Sequence, residues 1–429
     1  MTAEPRARPA PVRIEDLATP RFSDEVMAIR RMMAEAAADL VLEPGPLMEA
    51  AVQATGLDDF GPMDFVERLD VLCRALRAEA GHAGAGIMNH HALLSQLLRN
   101  RLLVEDLVRS HPEIEALEVR APIVICGLPR TGTTHLHNLI SADPNLRSLV
   151  YWESLEPVLP PAERDERGRA LGDGPDPRLA RTEQGLWFID AAMPYFKRMH
   201  EMTVDHVHEE IQLLGIDFST MLFETMAPMP VWRDYYLSHD QRPHYAYLAK
   251  VLKVLQWLRG GNRWVLKSPQ HLEQFPALAD TFPDATFVVT HRDPVSVTAS
   301  MATMLAYSAR MSADRVDPVR IGRYWSERLV GMLRSCVRDR DVLPAGQSID
   351  VRFGEFMADD VGMVGRIYAL AGQPMTVEVR AAMDAFMAEN PRGRHGGVVY
   401  DLAEYGLDRG RLRQATAFYS ERFGLSEEG

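Results

Sequence analysis

The stretch PIVICGLPRTGTTHLHNL, Pro122 to Leu139, restricts what this chain can fold into more than any other. Pro122 to Cys126 is a short apolar run bounded by a turn signal, the pattern of a parallel strand covered on both faces. Gly127 opens a loop, Gly132 follows after four residues, and Leu136, Leu139 and Ile140 continue at helical spacing. Strand, glycine loop and helix make the P-loop frame, in which backbone N–H groups converge on a phosphate at a helix N-terminus. The lysine slot of that frame holds Thr133, with Thr134 behind it. Where a nucleoside triphosphate is used, that lysine reaches the β and γ phosphates and the next hydroxyl holds Mg²⁺. Here the loop's cation is Arg130, a planar, permanently charged fork suited to an oxyanion without a metal-chelated triphosphate tail.

The chain has 429 residues, enough for one large domain or two to three smaller ones. The reading is a disordered lead-in and helical region over 1–120, then an α/β P-loop domain over 121–429 with a helical insertion at about 184–260. A net charge of −13 argues against nucleic acid as the main partner. Cys73, Cys126 and Cys336 are too scattered for a disulfide framework or a zinc site, which suits a reducing, cytoplasmic compartment. The N-terminal MTAEPRARPAPVR has no apolar run behind its arginines, unlike a signal peptide. The most apolar long segment, Ile211 to Trp232, is broken by Asp217, Glu224 and two prolines, so no membrane span is expected.

Along the chain, residues 24–41, 62–80 and 91–108 carry apolar residues three and four apart and read as helices. His90 and His91 start the third and read as capping or surface residues; His135 and His137 read as packing or capping residues. Leu149 to Trp152 reads as a short strand ending at Glu153, and the charged stretch 163–181 as a solvated loop. Residues 184–238, rich in Met, Phe, Tyr, Trp and Pro, read as a helical insertion shaping an apolar pocket. Gln241 to Leu258 is an amphipathic helix closed by Gly260, Gly261 and Asn262. Arg263 to Lys267 and Ala285 to Thr290 are strands joined by a helical run, and Asp293 with Pro294 starts another helix. The β-α-β order implies parallel strands with polar groups gathered at their carboxyl ends: Arg130, Glu153, Lys267 with Ser268, and Arg292 with Ser300. Two anion points on one sheet describe a ligand with two phosphates.

On these residues the chain resembles a known family. PRTGTT followed by RDPVSVTAS is similar to the paired phosphate motifs of sulfotransferases that use 3′-phosphoadenosine 5′-phosphosulfate (PAPS), and most resembles their bacterial and tyrosylprotein-like branch. The resemblance implies that Arg130, Thr131, Gly132, Thr133 and Thr134 hold the 5′-phosphosulfate, and that Arg292 and Ser300 hold the 3′-phosphate. Asn390-Pro-Arg-Gly-Arg394 resembles the late basic segment that closes over that phosphate, which adds Arg392, Gly393 and Arg394. Lys267 aligns with the lysine that approaches the transferred group in cytosolic members. Their catalytic histidine falls at Pro269, so the base is sought at Glu153, placed like the tyrosylprotein branch's glutamate, at His208, or at His271.

Sulfuryl transfer to a hydroxyl or amine is an in-line displacement that needs one proton acceptor and cations on the leaving phosphate. The resemblance therefore implies PAPS as donor, adenosine 3′,5′-bisphosphate (PAP) as product and no metal. His206-Val-His208 lacks the helical zinc spacing and reads as the polar end of a helix. The Met-rich insertion suggests an apolar or aromatic alcohol as small-molecule acceptor. Two other readings are a P-loop kinase and a non-catalytic nucleotide-binding scaffold; assembly as a homo-oligomer is left open.

Overall fold

The computed structural model describes residues 9–82, 84–261 and 263–428. Its centre is a five-stranded sheet in the order β2-β3-β1-β4-β5, parallel at every pairing. The strands are β1 (Ile123–Cys126), β2 (Arg147–Ser148), β3 (Trp264–Ser268), β4 (Thr286–His291) and β5 (Ser348–Arg352). β1, β3 and β4 are buried along their whole length, β1 as an unbroken apolar run and β3 and β4 with apolar centres that end in polar residues at their carboxyl ends. Side chains alternate between two cores. Ile123 and Ile125 face one with Leu136, Leu139 and Ile140, whereas Val124 and Cys126 face the other, larger one.

Helices fill both layers. α1 (Asp24–Ala36), α2 (Pro44–Thr55), α3 (Phe65–Glu79) and α4 (Gly84–Ser110) form the helical prelude, and α5 (Thr133–Ser141) follows the glycine loop. α6 (Tyr151–Leu155), α7 (Pro177–Ala192), α8 (Ile211–Gly215), α9 (Leu222–Met226) and α10 (Pro230–Ser238) build the insertion. α11 (Arg242–Arg259), α12 (Phe275–Thr281), α13 (Pro294–Ser308) and α14 (Pro318–Asp339) return to the sheet. α15 (Phe353–Ala358), α16 (Asp360–Ala371), α17 (Val377–Glu389) and α18 (Arg409–Phe423) complete it. Among the described residues, no helix is long and apolar enough to cross a membrane.

Three expectations change. The edge strand is Arg147–Ser148, not Leu149 to Trp152: the Tyr151 and Trp152 N–H groups bond the His206 and Val204 carbonyls at 3.0 and 3.1 Å, and α6 begins there. α2 went unread because Pro44, Gly45 and Pro46 mimic a turn, although proline suits a helix's first positions. Of the expected lead-in, residues 1–8 lie outside the described residues, as does Asn262. From residue 9 the chain is docked, with Val12 bridging Val398 in parallel.

A buried ion cluster ties the insertion to the sheet. Arg328 on α14 donates to Glu224 of α9 at 3.0 Å and to Glu273, just past β3, at 2.6 Å, and all three side chains are at most 1% exposed. Tyr324 adds a hydrogen bond to Glu224 at 2.6 Å. Removing one member strands buried charge, which costs about 3–5 kcal/mol. Arg328→Ala is therefore expected to lower unfolding free energy by that amount in urea titration; a loss below about 1 kcal/mol, the scale of an exposed pair, would contradict the assignment.

Candidate active site

The glycine loop is fixed to the neighbouring strand. A Cβ on Gly127 would lie 1.9 Å from Thr290 Oγ1 on β4, so the close approach requires glycine. The Thr131 hydroxyl donates to the Leu128 carbonyl at 2.7 Å and lies 2.7 Å from Thr290 Oγ1. Arg130 adopts φ 70° and Gly132 φ 86°. A left-handed arginine is strained, and such strain persists only where surroundings impose it. Here Arg292 donates to the Arg130 carbonyl at 2.7 Å, Arg130 Nε donates to Ser300 Oγ at 3.0 Å, and an Arg130 terminal nitrogen donates to the Met199 carbonyl.

The second expected anion point, Arg292, lies where β4 enters α13. Asp293 caps α13 by accepting from the Val295 N–H at 3.0 Å, which leaves Arg292 at the helix N-terminus. The Arg292 guanidinium stacks 4.0 Å over the Phe353 ring and donates to both carboxylate oxygens of Glu428, at 2.6 and 2.8 Å. The Nε/Nη2 edge of the fork thus holds the Glu428 carboxylate in a bidentate geometry, and that carboxylate has to yield before another oxyanion takes its place. The segment after α17 borders the same space: Arg392 bonds Asp360 at 2.7 Å and Arg394 bonds Glu201 at 2.5 Å. Together Arg130, Gly132, Thr134, Arg292, Arg392 and Arg394 line a polar cleft of about 670 Å³.

A second cavity, of about 460 Å³, has the opposite character. Met193, Met221, Met226, Met301, Met304 and Met311 line it, within the range of small-molecule pockets. The two cavities share Arg130, Thr133, Thr134, Met199 and His200. His208 and Glu209 border the apolar cavity and His206 the polar one.

Three imidazoles therefore stand at the junction. His206 Nδ1 lies 2.7 Å from the Thr203 carbonyl and His206 Nε2 lies 3.0 Å from His208 Nδ1. A proton on His206 Nδ1 and another on His208 Nδ1 satisfy this chain and leave His208 Nε2 with a free lone pair. That nitrogen is buried and without a hydrogen-bond partner. Burial first, then neighbouring positive groups including Lys267, pushes His200 down to about 3 and His208 well below the usual imidazole range; burial lowers His206 too. All three rings are neutral at physiological pH.

Comparison with known proteins agrees with this architecture. Residues 122–377 match the sulfotransferase family. The chain belongs to that family. Sulfotransferase STF9 from Mycobacterium avium is 26% identical, covers 91% of this chain and 99% of its own, and superposes with a TM-score of 0.79. Sulfotransferase STF1 from Mycobacterium tuberculosis H37Rv is 29% identical, covers 87% and 98% respectively, and gives 0.75. Among curated protein sequences none matches significantly.

In this sulfotransferase the three sequence-derived base candidates separate. Glu153 is fully buried and bonds Arg147 at 2.5 Å and Arg259 at 3.2 Å; it borders neither cavity. Its expected place at a strand end fails because α6 replaces that strand. His271 is also fully buried, with Nδ1 2.8 Å from the Tyr245 hydroxyl and Nε2 3.4 Å from Glu210, and likewise borders neither. Only His208 of the three reaches a cavity wall. Lys267 is 3% exposed and spends its ammonium on Glu209, while its backbone N–H bonds Glu210 at 2.8 Å. His135 pairs with Asp360 at 3.0 Å and His137 is buried, as packing residues would be.

Sequence reasoning missed His200, which had no motif around it, and misjudged His90. His90 is 1% exposed, packs at a tilt with its ring centroid 4.2 Å from that of His82, and borders the apolar cavity. If Glu153 is a buried ion-pair partner, Glu153→Ala leaves Arg147 unpaired and is expected to cost about 3–5 kcal/mol. Urea titration checks this; an unchanged stability would return Glu153 to the list of bases.

Proposed function

We propose that this sulfotransferase transfers the sulfuryl group of PAPS to a hydroxyl or amine of an apolar small molecule. The observation that carries the reading is the meeting of a basic, two-anion cleft and a methionine-lined cavity at Arg130, Thr133, Thr134 and His200. The donor belongs in the cleft, with its 5′ end on Gly132, Thr133, Thr134 and the N-terminus of α5, and its 3′-phosphate on Arg292. Arg392, Gly393 and Arg394 border that end. The acceptor belongs in the apolar cavity, where flexible methionines accommodate varied shapes.

The chemistry follows from the residues at the junction. The acceptor oxygen or nitrogen forms a bond to sulfur as the bond from sulfur to the 5′-phosphate oxygen breaks, and PAP departs with that electron pair. His208 Nε2 takes the acceptor's proton, and His208 Nδ1–H passes stabilisation to His206 and on to the Thr203 carbonyl. Arg130 stabilises charge growing on the leaving phosphate, while Lys267, the other expected cation, is paired with Glu209. Thr133 in place of the P-loop lysine suits a transferred group with one negative charge. The absence of a spanning helix among the described residues is compatible with a cytoplasmic enzyme.

Labelled PAPS incubated with the protein and a metabolite extract is expected to label an acceptor, read by mass spectrometry as a sulfuryl mass gain. No labelled product, with no PAP binding by calorimetry, would overturn the reading. Arg292→Ala is expected to weaken PAP binding about tenfold or more, and Arg130→Ala to lower turnover more than binding. Equal effects on both measurements would contradict these roles. His208→Ala is expected to lower kcat about 10²–10⁴-fold with PAP binding retained; full turnover would remove His208 as base.

A further inference from the structure

We propose that His200, His206 and His208 form a three-imidazole seat for a first-row divalent transition metal, foremost Zn²⁺, at the junction of the two cavities, and that its occupancy turns transfer off. The sequence displays only His206-Val-His208. The third ring arrives because the turn after α7, Phe196–Arg198, brings His200 back over that pair.

Each of the three rings offers one nitrogen, and these nitrogens lie within 4.8 Å of one another. Zinc–nitrogen bonds of about 2.0–2.1 Å place tetrahedral ligands about 3.3 Å apart. His206 Nε2 and His208 Nδ1 already stand 3.0 Å apart, and the third ring needs to close by at most about 1.5 Å. The Thr203 carbonyl beside His206 Nδ1, at 2.7 Å, is the kind of outer partner that fixes a ligating histidine with its other nitrogen free. His208 is 6% exposed; its Nδ1 faces His206 Nε2, and its Nε2 is the ring nitrogen without a protein partner.

Three neutral imidazoles select zinc, copper, nickel or cobalt over magnesium and calcium. Three protein ligands also leave a fourth position open toward the cavities, the form of a site that accepts an exogenous ligand. Lys267 and Arg130 oppose a dication here, and Glu209, paired with Lys267, offsets part of that charge. The affinity is therefore below that of a closed structural zinc site.

The regulatory consequence rests on the proposed function. A neutral imidazole has one nitrogen lone pair and one N–H. Whichever nitrogen of His208 binds the metal, the other keeps its proton, and no base remains for the acceptor.

EDTA-dialysed protein is to be titrated with Zn²⁺, Co²⁺ and Mg²⁺ by calorimetry, with visible absorption followed for Co²⁺. One Zn²⁺ per chain, visible Co²⁺ bands and no response to Mg²⁺ are expected. His200→Ala and His206→Gln, checked for folding by circular dichroism and melting temperature, are expected to weaken Zn²⁺ at least tenfold, whereas exposed His239→Ala leaves it unchanged. No Zn²⁺ binding, or binding indifferent to His200 and His206, overturns the site. In the labelled-donor assay Zn²⁺ is expected to inhibit and EDTA to restore turnover; stimulation by Zn²⁺ overturns the switch. Zn²⁺ binding together with failure to bind PAP would sink the donor assignment alone.

Discussion

The contact on which the molecule depends is the approach of the glycine loop to β4. Gly127 packs against Thr290 so closely that no side chain fits between them, and the Thr131 hydroxyl completes the fastening. This contact sets the left-handed turn at Arg130, whose carbonyl and side chain are then claimed by Arg292 and Ser300. The two proposed anion points are thereby linked through one hydrogen-bonded unit. Neither arginine can shift without disturbing the other, so the separation of the two phosphates they would hold is fixed by the sheet rather than by flexible loops.

Burial then sorts the ionisable groups. Glu153, Glu210 and His271 are enclosed by protein partners and serve packing and charge balance. His200, His206 and His208 sit at the cavity junction, where burial and Lys267 keep them neutral and unprotonated. The same neutrality that suits a proton acceptor suits a metal ligand, which is why one cluster can carry both the proposed transfer chemistry and the proposed means of stopping it. Methionines on the other wall add apolar contact without imposing a rigid shape.

Much of this was legible in the sequence, for local reasons. The loop, Lys267 and Arg292 follow short apolar strands at fixed spacing, and strand ends converge in any parallel sheet. The Met-rich insertion also announced an apolar pocket. What the sequence concealed depends on partners distant along the chain. Glu153 reads as a strand-end carboxylate until Arg147 and Arg259 enclose it. His271 reads as a candidate base until Tyr245 and Glu210 close around it. His200 has no periodic pattern near it, because a single turn after α7 delivers it to the site. Glu428 resembles any terminal acidic residue until Arg292 engages it.

The central claim is that Arg130 and Arg292 form a rigid two-phosphate clamp, and the most direct measurement compares two ligands that differ in one phosphate. Calorimetric titration with adenosine 3′,5′-bisphosphate and with adenosine 5′-monophosphate isolates the second anion point. The clamp predicts that the bisphosphate binds at least about tenfold more tightly, with the advantage abolished in Arg292→Ala. Equal affinities in the unaltered protein would contradict it.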